Sequence, residues 1–178
     1  MRAALSALKS KWGNFISELN TEFYSHVGEL LEHDAVMRLD DFIHHHAVTR
    51  LRHSLDVAYS SFVLAKLLHW DSRSAARGGL LHDLFFYDRH DEEQAGESRG
   101  HMSEHPRVAL QNARAICDLN KVEENIIRRH MWLITLIPPK YKEGFIVTTM
   151  DKFCALRELG ASLLMRRRTP LAVTANNL

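Results

Sequence analysis

Histidine is the residue type that points to chemistry in this chain, because 12 of its 178 residues are histidines. Imidazole is the commonest metal ligand in proteins and changes its charge near neutral pH. Four of these histidines and two aspartates follow one another as His53, His82-Asp83, His105, His130 and Asp151. Such a mixture of nitrogen and carboxylate donors suits divalent Mn, Fe, Co, Ni or Zn better than Ca or Mg. The sequence therefore predicts a transition-metal site.

The number of candidate ligands indicates two ions rather than one. A single catalytic metal that keeps open positions for water needs fewer protein ligands than six. Two ions that share a bridging carboxylate would use all six. His101 lies four residues before His105 and is an alternative ligand. The run His44-His45-His46 could lie either at the mouth of such a site or in solvent.

Helical periodicity predicts that each ligand lies on, or at the start of, its own helix. Apolar residues recur at intervals of three and four from Leu51 to Ala65, which predicts a helix over about residues 50–69. The other predicted helices run from about Ser72 towards Phe86, from Pro106 through Ile116, from Val122 to Leu133 and from Tyr141 to Leu159. The polar segment 88–104 is predicted to be a loop that leads to His105 as a helix cap.

These elements predict an all-α fold, a single-domain helical bundle whose interior brings the six ligands together. Residues 1–45 are predicted to form an N-terminal helical extension packed on the core. Residues 46–160 form the domain that carries the ligands, and residues 161–178 form a C-terminal tail.

Three segments that carry ligands are Arg52-His53-Ser54-Leu55-Asp56-Val57-Ala58, Gly79-Leu80-Leu81-His82-Asp83-Leu84 and Met150-Asp151-Lys152. They resemble the HD superfamily of metal-dependent phosphohydrolases, and the nearest likeness is to small bacterial HD proteins. His105-Pro106-Arg107-Val108-Ala109-Leu110 and Ile127-Arg128-Arg129-His130 resemble the two extra histidine motifs of its binuclear members. The resemblance identifies residues 46–160 as an HD domain.

The resemblance implies that His53, His82, Asp83 and Asp151 hold a first ion. Asp83 would be the catalytic residue that bridges to a second ion, held by His105 and His130. A metal-bound water would then cleave a phosphate ester or anhydride of a nucleotide or similar small molecule. The chain departs from the family after the His-Asp pair, where Leu84-Phe85-Phe86 replaces the frequent Ile-Gly-Lys. A phosphate-contacting lysine is therefore missing at that place.

Three further residues are candidates for binding the substrate. Lys152 follows Asp151 directly, Lys140 precedes the last predicted helix, and His45 fits the pattern of the small bacterial HD proteins. A cation near the ligands could contact a phosphate, although a solvated surface position is the more common role for a basic residue of this kind. Trp132 is a candidate for lining a nucleobase pocket.

Two other functions use the same residues. An HD-type di-iron oxygenase similar to myo-inositol oxygenase would have the same ligands. A non-catalytic HD module that binds a nucleotide is disfavoured, because such a module is expected to lose ligands.

Composition limits the kinds of partner and the cellular location that the sequence predicts. With 23 basic and 22 acidic residues the chain offers no charge excess that would attract nucleic acid or a membrane. No apolar run approaches the ~18–20 residues of a membrane span. Two cysteines without a CxxC motif and the lack of a signal-peptide pattern predict a cytoplasmic protein. The sequence leaves open whether the chain forms a homodimer.

Overall fold

The computed structural model describes residues 21–45, 48–87 and 98–168, without the side chains of residues 45, 98–103 and 164–168. This part of the chain is almost entirely helical, so the predicted all-α fold class is confirmed. The helices are α1 (Thr21–Leu31), α2 (Asp34–Met37), α3 (Arg50–Leu67), α4 (Ser72–Leu81), α5 (Ser98–Ile116), α6 (Lys121–Arg129), α7 (Trp132–Thr135) and α8 (Lys142–Arg168). A 3₁₀-helix (Arg38–Asp41) follows α2 and precedes an antiparallel hairpin of β1 (Ile43–His45) and β2 (Val48–Thr49).

Short polar side chains begin the helices that carry the candidate ligands. The hydroxyl of Thr49 accepts the backbone N–H of Arg52 at the start of α3. Asp71 accepts the backbone N–H of Ser74 at the start of α4, over 2.9 Å. Asn120 forms a capping box at the start of α6. Each cap satisfies N–H groups that have no partner inside the helix, which fixes where the helix begins.

Helix α4 is the centre of the bundle, since it packs against α1, α3, α6 and α8. Its contact with α3 is especially close at Gly79. A Cβ atom added to Gly79 would lie only 2.9 Å from the Cα of Ala58, so a side chain does not fit there. The missing side chain lets the backbones of the two helices approach each other.

Two apolar clusters hold the helices together. The larger lies between α1, α3, α4 and α5, and the smaller joins α3, α4, α6 and α8. Buried Arg77 of α4 connects α1 and α6 to this core. Its Nε donates to Glu123 of α6 over 2.9 Å, and its Nη1 pairs with Glu29 of α1. A buried guanidinium is stable here because carboxylates compensate its charge.

Helix α4 ends at Leu81 and does not run towards Phe86 as predicted. The segment after it is held in a non-helical path by the guanidinium of Arg50. The two terminal nitrogens of Arg50 donate to the carbonyls of Phe85 and Tyr87, over 2.7 and 3.2 Å. These carbonyls are therefore taken by a side chain from α3, which no local sequence signal reveals.

Helix α5 begins at Ser98, so two predictions for this region are wrong. Residues 98–104 are helical rather than part of a loop, and His105 does not cap the helix. Pro106 lies inside α5 and not in its first turn. Inside a helix, proline removes one backbone hydrogen bond and introduces a steric clash, but its φ angle is compatible with helical backbone.

The remaining helix boundaries also differ from those that the apolar periodicity predicts. The predicted helix over residues 122–133 is divided into α6 and α7, and α7 ends where Leu136 adopts the left-handed region with φ 59°. Helix α8 continues past Leu159 to Arg168, into the segment predicted as a tail. The hairpin was not predicted. None of the described helices combines the length and the apolar character that crossing a membrane requires.

Candidate metal centre

The six predicted ligands come from five helices and meet in the interior. His53 lies in the first turn of α3, and His105 lies within α5. His82 and His130 are the C-cap residues of α4 and α6, and Asp83 follows His82 directly. Asp151 lies in the middle of α8. All six side chains are buried.

His53, His82 and Asp151 form a group that we call the first cluster. The Nε2 atom of His53 lies 3.2 Å from Oδ1 of Asp151. The Nε2 atom of His82 lies 3.9 Å from the same oxygen. One donor atom from each of the three residues falls within 4.8 Å of the others, which is close enough for all three to hold a single ion.

Asp83, His105 and His130 form the second cluster, and their donor atoms also lie within 4.8 Å of one another. The Nε2 atoms of His105 and His130 are 3.0 Å apart, and each is 3.5 Å from Oδ1 of Asp83. The Nδ1 atom of His130 faces the carbonyl of Ile127, so this nitrogen carries the hydrogen. The Nε2 lone pair of His130 therefore points into the cluster.

The carboxylate of Asp83 connects the two clusters. Its Oδ1 faces His105 and His130, while its Oδ2 lies 3.6 Å from Nε2 of His82 in the first cluster. A carboxylate with one oxygen on each side is the arrangement that a bridge between two ions requires. The geometry thus fits the bridging position that the resemblance implies for Asp83.

Glu158 is a site residue that the sequence reasoning missed. Its Oε1 lies 2.9 Å from Nδ1 of His53, and both side chains are buried. Glu158 follows Asp151 by seven residues on α8, which is about two helical turns and places both carboxylates on one face. That spacing is a signal that could have identified it.

Burial and ion pairing act against each other at His53 and Asp151. Burial alone would lower the pKa of His53, but hydrogen bonds with Asp151 and Glu158 raise this pKa to about 9. Burial would raise the pKa of Asp151, but His53 and the nearby His82 and Lys152 hold it well below its usual range. Without an ion, the first cluster therefore carries a proton on His53 beside a carboxylate.

The second cluster is dominated by neighbouring imidazoles. Burial, followed by the proximity of His82 and His105, lowers the pKa of His130 to about 3. Burial would raise the pKa of Asp83, but the imidazoles around it, His82 first among them, hold it well below its usual range. His130 is neutral and Asp83 is ionised at neutral pH, and these are the forms that bind a cation.

Two buried atoms indicate that the clusters suit a metal ion. Nε2 of His82 and Oδ1 of Asp83 are shielded from solvent and have no hydrogen-bond partner in the described part of the chain. A buried polar atom without a partner is costly unless an ion or a water satisfies it. Both atoms point towards their clusters, and a donor set of four imidazoles and two carboxylates matches a divalent transition metal.

A pocket opens beside the second cluster, and it contains one of the three predicted substrate-binding residues. Lys152 lines this pocket together with Ile43, Met131 and Ala155. Its Nζ lies 2.7 Å from Oδ2 of Asp151. Lys140 is exposed and does not line the pocket.

Trp132 does not line the pocket either, since its ring packs against Phe145 of α8 with centroids 5.8 Å apart. The side chain of His101, the alternative ligand, lies outside the described part of the chain.

The hairpin places His44, a residue of the His44-His45-His46 run, in the lining of the pocket. The ring of His44 stacks on His53 with centroids 3.9 Å apart, and its Nδ1 lies 3.8 Å from Oδ2 of Asp83. Only the backbone of His45 is described.

Comparison with known proteins identifies one family. The family model of the HD domain matches residues 50–156, which is more than half of the chain. The match contains all six predicted ligands but neither His44 nor Glu158. No curated protein and no solved structure matches the chain.

Proposed function

This chain belongs to the HD-domain family, and we propose that it is a phosphohydrolase that holds two divalent transition-metal ions. Its substrate would be a phosphate ester or anhydride of a nucleotide or similar small molecule. Members of this family are mostly metal-dependent hydrolases and bind divalent metals.

The observation that carries this proposal is the position of Asp83 between the two clusters. His53, His82 and Asp151 lie on one side of its carboxylate, and His105 and His130 lie on the other. Two ions in these positions would polarise the phosphate oxygens and lower the pKa of a water that acts as nucleophile. The protein then needs no nucleophilic side chain of its own.

The residues around the clusters would exclude bulk water and contact the substrate. Burial of the six ligands excludes bulk water from behind the site and strengthens the local electrostatic interactions. Lys152 lines the pocket and would contact a phosphate oxygen there. His44 borders the same space from the hairpin.

The substrate class is supported by the character of the pocket. Beside Lys152, it presents the apolar side chains of Ile43, Met131, Phe85 and Ala155. A charged end and an apolar wall suit a small molecule with a phosphate and a less polar remainder, such as a nucleotide. We therefore propose a small-molecule substrate; the balanced charge of the chain offers no excess that would attract nucleic acid or a membrane.

A metal analysis combined with an isotope experiment tests the proposed function. The protein is purified without chelators, its metal content is measured, and it is offered a panel of nucleotides and small phosphate esters with Mn²⁺, Fe²⁺, Co²⁺ or Zn²⁺. Hydrolysis in ¹⁸O-water should place ¹⁸O in the released phosphate, and mass spectrometry should detect no phosphorylated protein.

Two results would contradict the proposal. A protein that binds none of the four metals lacks the site altogether. A protein that binds iron, consumes oxygen with a polyol or phosphonate and cleaves no phosphate compound is instead an oxygenase.

A further inference from the structure

Glu158 contacts His53 on the side of the ring that faces away from the clusters. Nδ1 of His53 lies 2.9 Å from Oε1 of Glu158, while Nε2 on the opposite side lies 3.2 Å from Oδ1 of Asp151. A carboxylate oxygen accepts a hydrogen bond from an imidazole N–H group. Nδ1 of His53 is therefore the donor to Glu158.

The two candidate ligands at the C-terminal ends of helices, His82 and His130, are oriented by backbone carbonyls rather than by another side chain. Nδ1 of His82 donates to the carbonyl of Gly79 over 2.7 Å, and Nδ1 of His130 donates to the carbonyl of Ile127 over 2.9 Å. Both carbonyls belong to the last four residues of a helix, where carbonyl groups have no partner within the helix. Each C-terminal histidine thus finds its acceptor in its own helix.

His53 has no such acceptor, because it lies in the first turn of α3. The groups left unsatisfied at that end of a helix are N–H donors and not carbonyls. An acceptor for Nδ1 of His53 must therefore come from another element, and in this fold it comes from Glu158 of α8. The same helix supplies Asp151 to the other side of the ring.

We propose that Glu158 is a positioning residue that holds the hydrogen of His53 on Nδ1 and directs the Nε2 lone pair into the first cluster. This inference rests on the proposed function, since it concerns a metal ligand. A carboxylate that accepts from the outer nitrogen of a ligating histidine fixes the ring orientation and makes the inner nitrogen more basic. Glu158 lies two residues beyond the end of the family match.

The test compares Glu158→Ala and Glu158→Gln with a control variant on the same helix. Glu143→Gln removes a buried carboxylate that contacts the backbone N–H of Asp71 and touches neither cluster. We expect Glu158→Ala to bind its first Co²⁺ or Zn²⁺ about 10- to 100-fold more weakly in a chelator competition. Glu158→Gln keeps an acceptor oxygen and should lie between Ala and wild type. Glu143→Gln should match wild type.

A spectroscopic measurement distinguishes positioning from a general loss of structure. In the Zn²⁺-loaded wild type, ¹⁵N-detected NMR should show the hydrogen of His53 on Nδ1 and slow exchange of this hydrogen with water. In Glu158→Ala this exchange should become fast while circular dichroism still reports a helical fold. His82 and His130, whose Nδ1 atoms donate to carbonyls, should keep protected hydrogens in both proteins.

The outcomes separate this inference from the proposed function. If wild type binds metal and Glu158→Ala binds it equally tightly with a protected Nδ1 hydrogen, Glu158 is not a positioning residue and the proposed function stands. If wild type binds no metal, both proposals fail together.

Discussion

Asp83 is the residue on which both halves of the candidate site depend. Its two carboxylate oxygens face different clusters, and its negative charge is set among four imidazoles. A single side chain at this position would therefore contact both ions if each cluster holds one, whereas each candidate histidine ligand would contact one ion.

Asp83→Asn should remove metal from both clusters while leaving the helices folded. The amide keeps the size of the side chain but loses the charge that two cations share. We expect metal content to fall from two ions to fewer than one per chain, and turnover to fall by more than about 100-fold, beyond the loss typical of an outer-shell partner. Elemental analysis and circular dichroism measure the two effects. The exposed Asp118 provides the control Asp118→Asn, and an Asp83→Asn protein with two ions would contradict the bridging role.

Lys152→Ala and Lys140→Ala form a matched pair that tests substrate contact. Lys152 lines the pocket and Lys140 does not. If Lys152 contacts a phosphate oxygen, its removal should lower kcat/KM by roughly 10- to 100-fold, since hydrogen bonds to charged groups contribute about 1.5–3 kcal/mol. Metal content should not change. Lys140→Ala should behave as wild type, and equal losses in both variants would count against a role for Lys152 in the pocket.

At the scale of the elements, α3 and α4 place the first cluster because their backbones approach each other at Gly79. This contact sets the distance between His53 on α3 and His82 at the end of α4. The carbonyl of Gly79 also orients the ring of His82. One glycine thus determines both the packing of two helices and the orientation of a candidate ligand.

Gly79→Ala should destabilise the protein, whereas Gly160→Ala should stabilise it. Alanine is favoured over glycine inside a helix by about 0.5–1 kcal/mol, and at Gly160 the new Cβ meets nothing within 4 Å. At Gly79 it meets the backbone of Ala58 at 2.9 Å, and overpacking of this kind costs about 1–3 kcal/mol. Urea unfolding measures both changes. Metal affinity should fall only in Gly79→Ala, and stabilisation by both substitutions would show that the helices separate easily.

The secondary-structure elements also show which features of the fold could be predicted from the sequence. The amphipathic face of α3 is a local feature, and it allowed this helix to be predicted from the sequence. The end of α4 depends on Arg50, which lies 35 residues from Phe85 along the chain. The orientation of His44 depends on a hairpin with no alternating pattern. Contacts between distant residues decided these features, so local periodicity could not reveal them.

At the scale of the whole molecule, the metal-free site makes stability depend on pH in two opposite ways. His53 has a pKa raised to about 9 by its hydrogen bonds with Asp151 and Glu158, which outweigh burial. Its contribution to stability is complete below the unfolded value of about 6.5 and is lost as the pH rises towards 9. His130 has a pKa lowered to about 3 by burial and neighbouring imidazoles. Its contribution is complete above about pH 6.5 and is lost as the pH falls towards 3.

The metal-free protein should therefore be most stable near pH 6.5. The rise in the pKa of His53 corresponds to roughly 3 kcal/mol, so the free energy of unfolding should fall by a few kcal/mol between pH 6.5 and 9. Bound metal should remove this alkaline decline, because an ion replaces the proton on His53 and binds only the deprotonated ligand. Guanidinium unfolding from pH 5 to 9, with a chelator and with Zn²⁺, measures both curves. A metal-free curve that is flat or still rising at pH 9 would show that His53 is not held as an imidazolium by its two carboxylates.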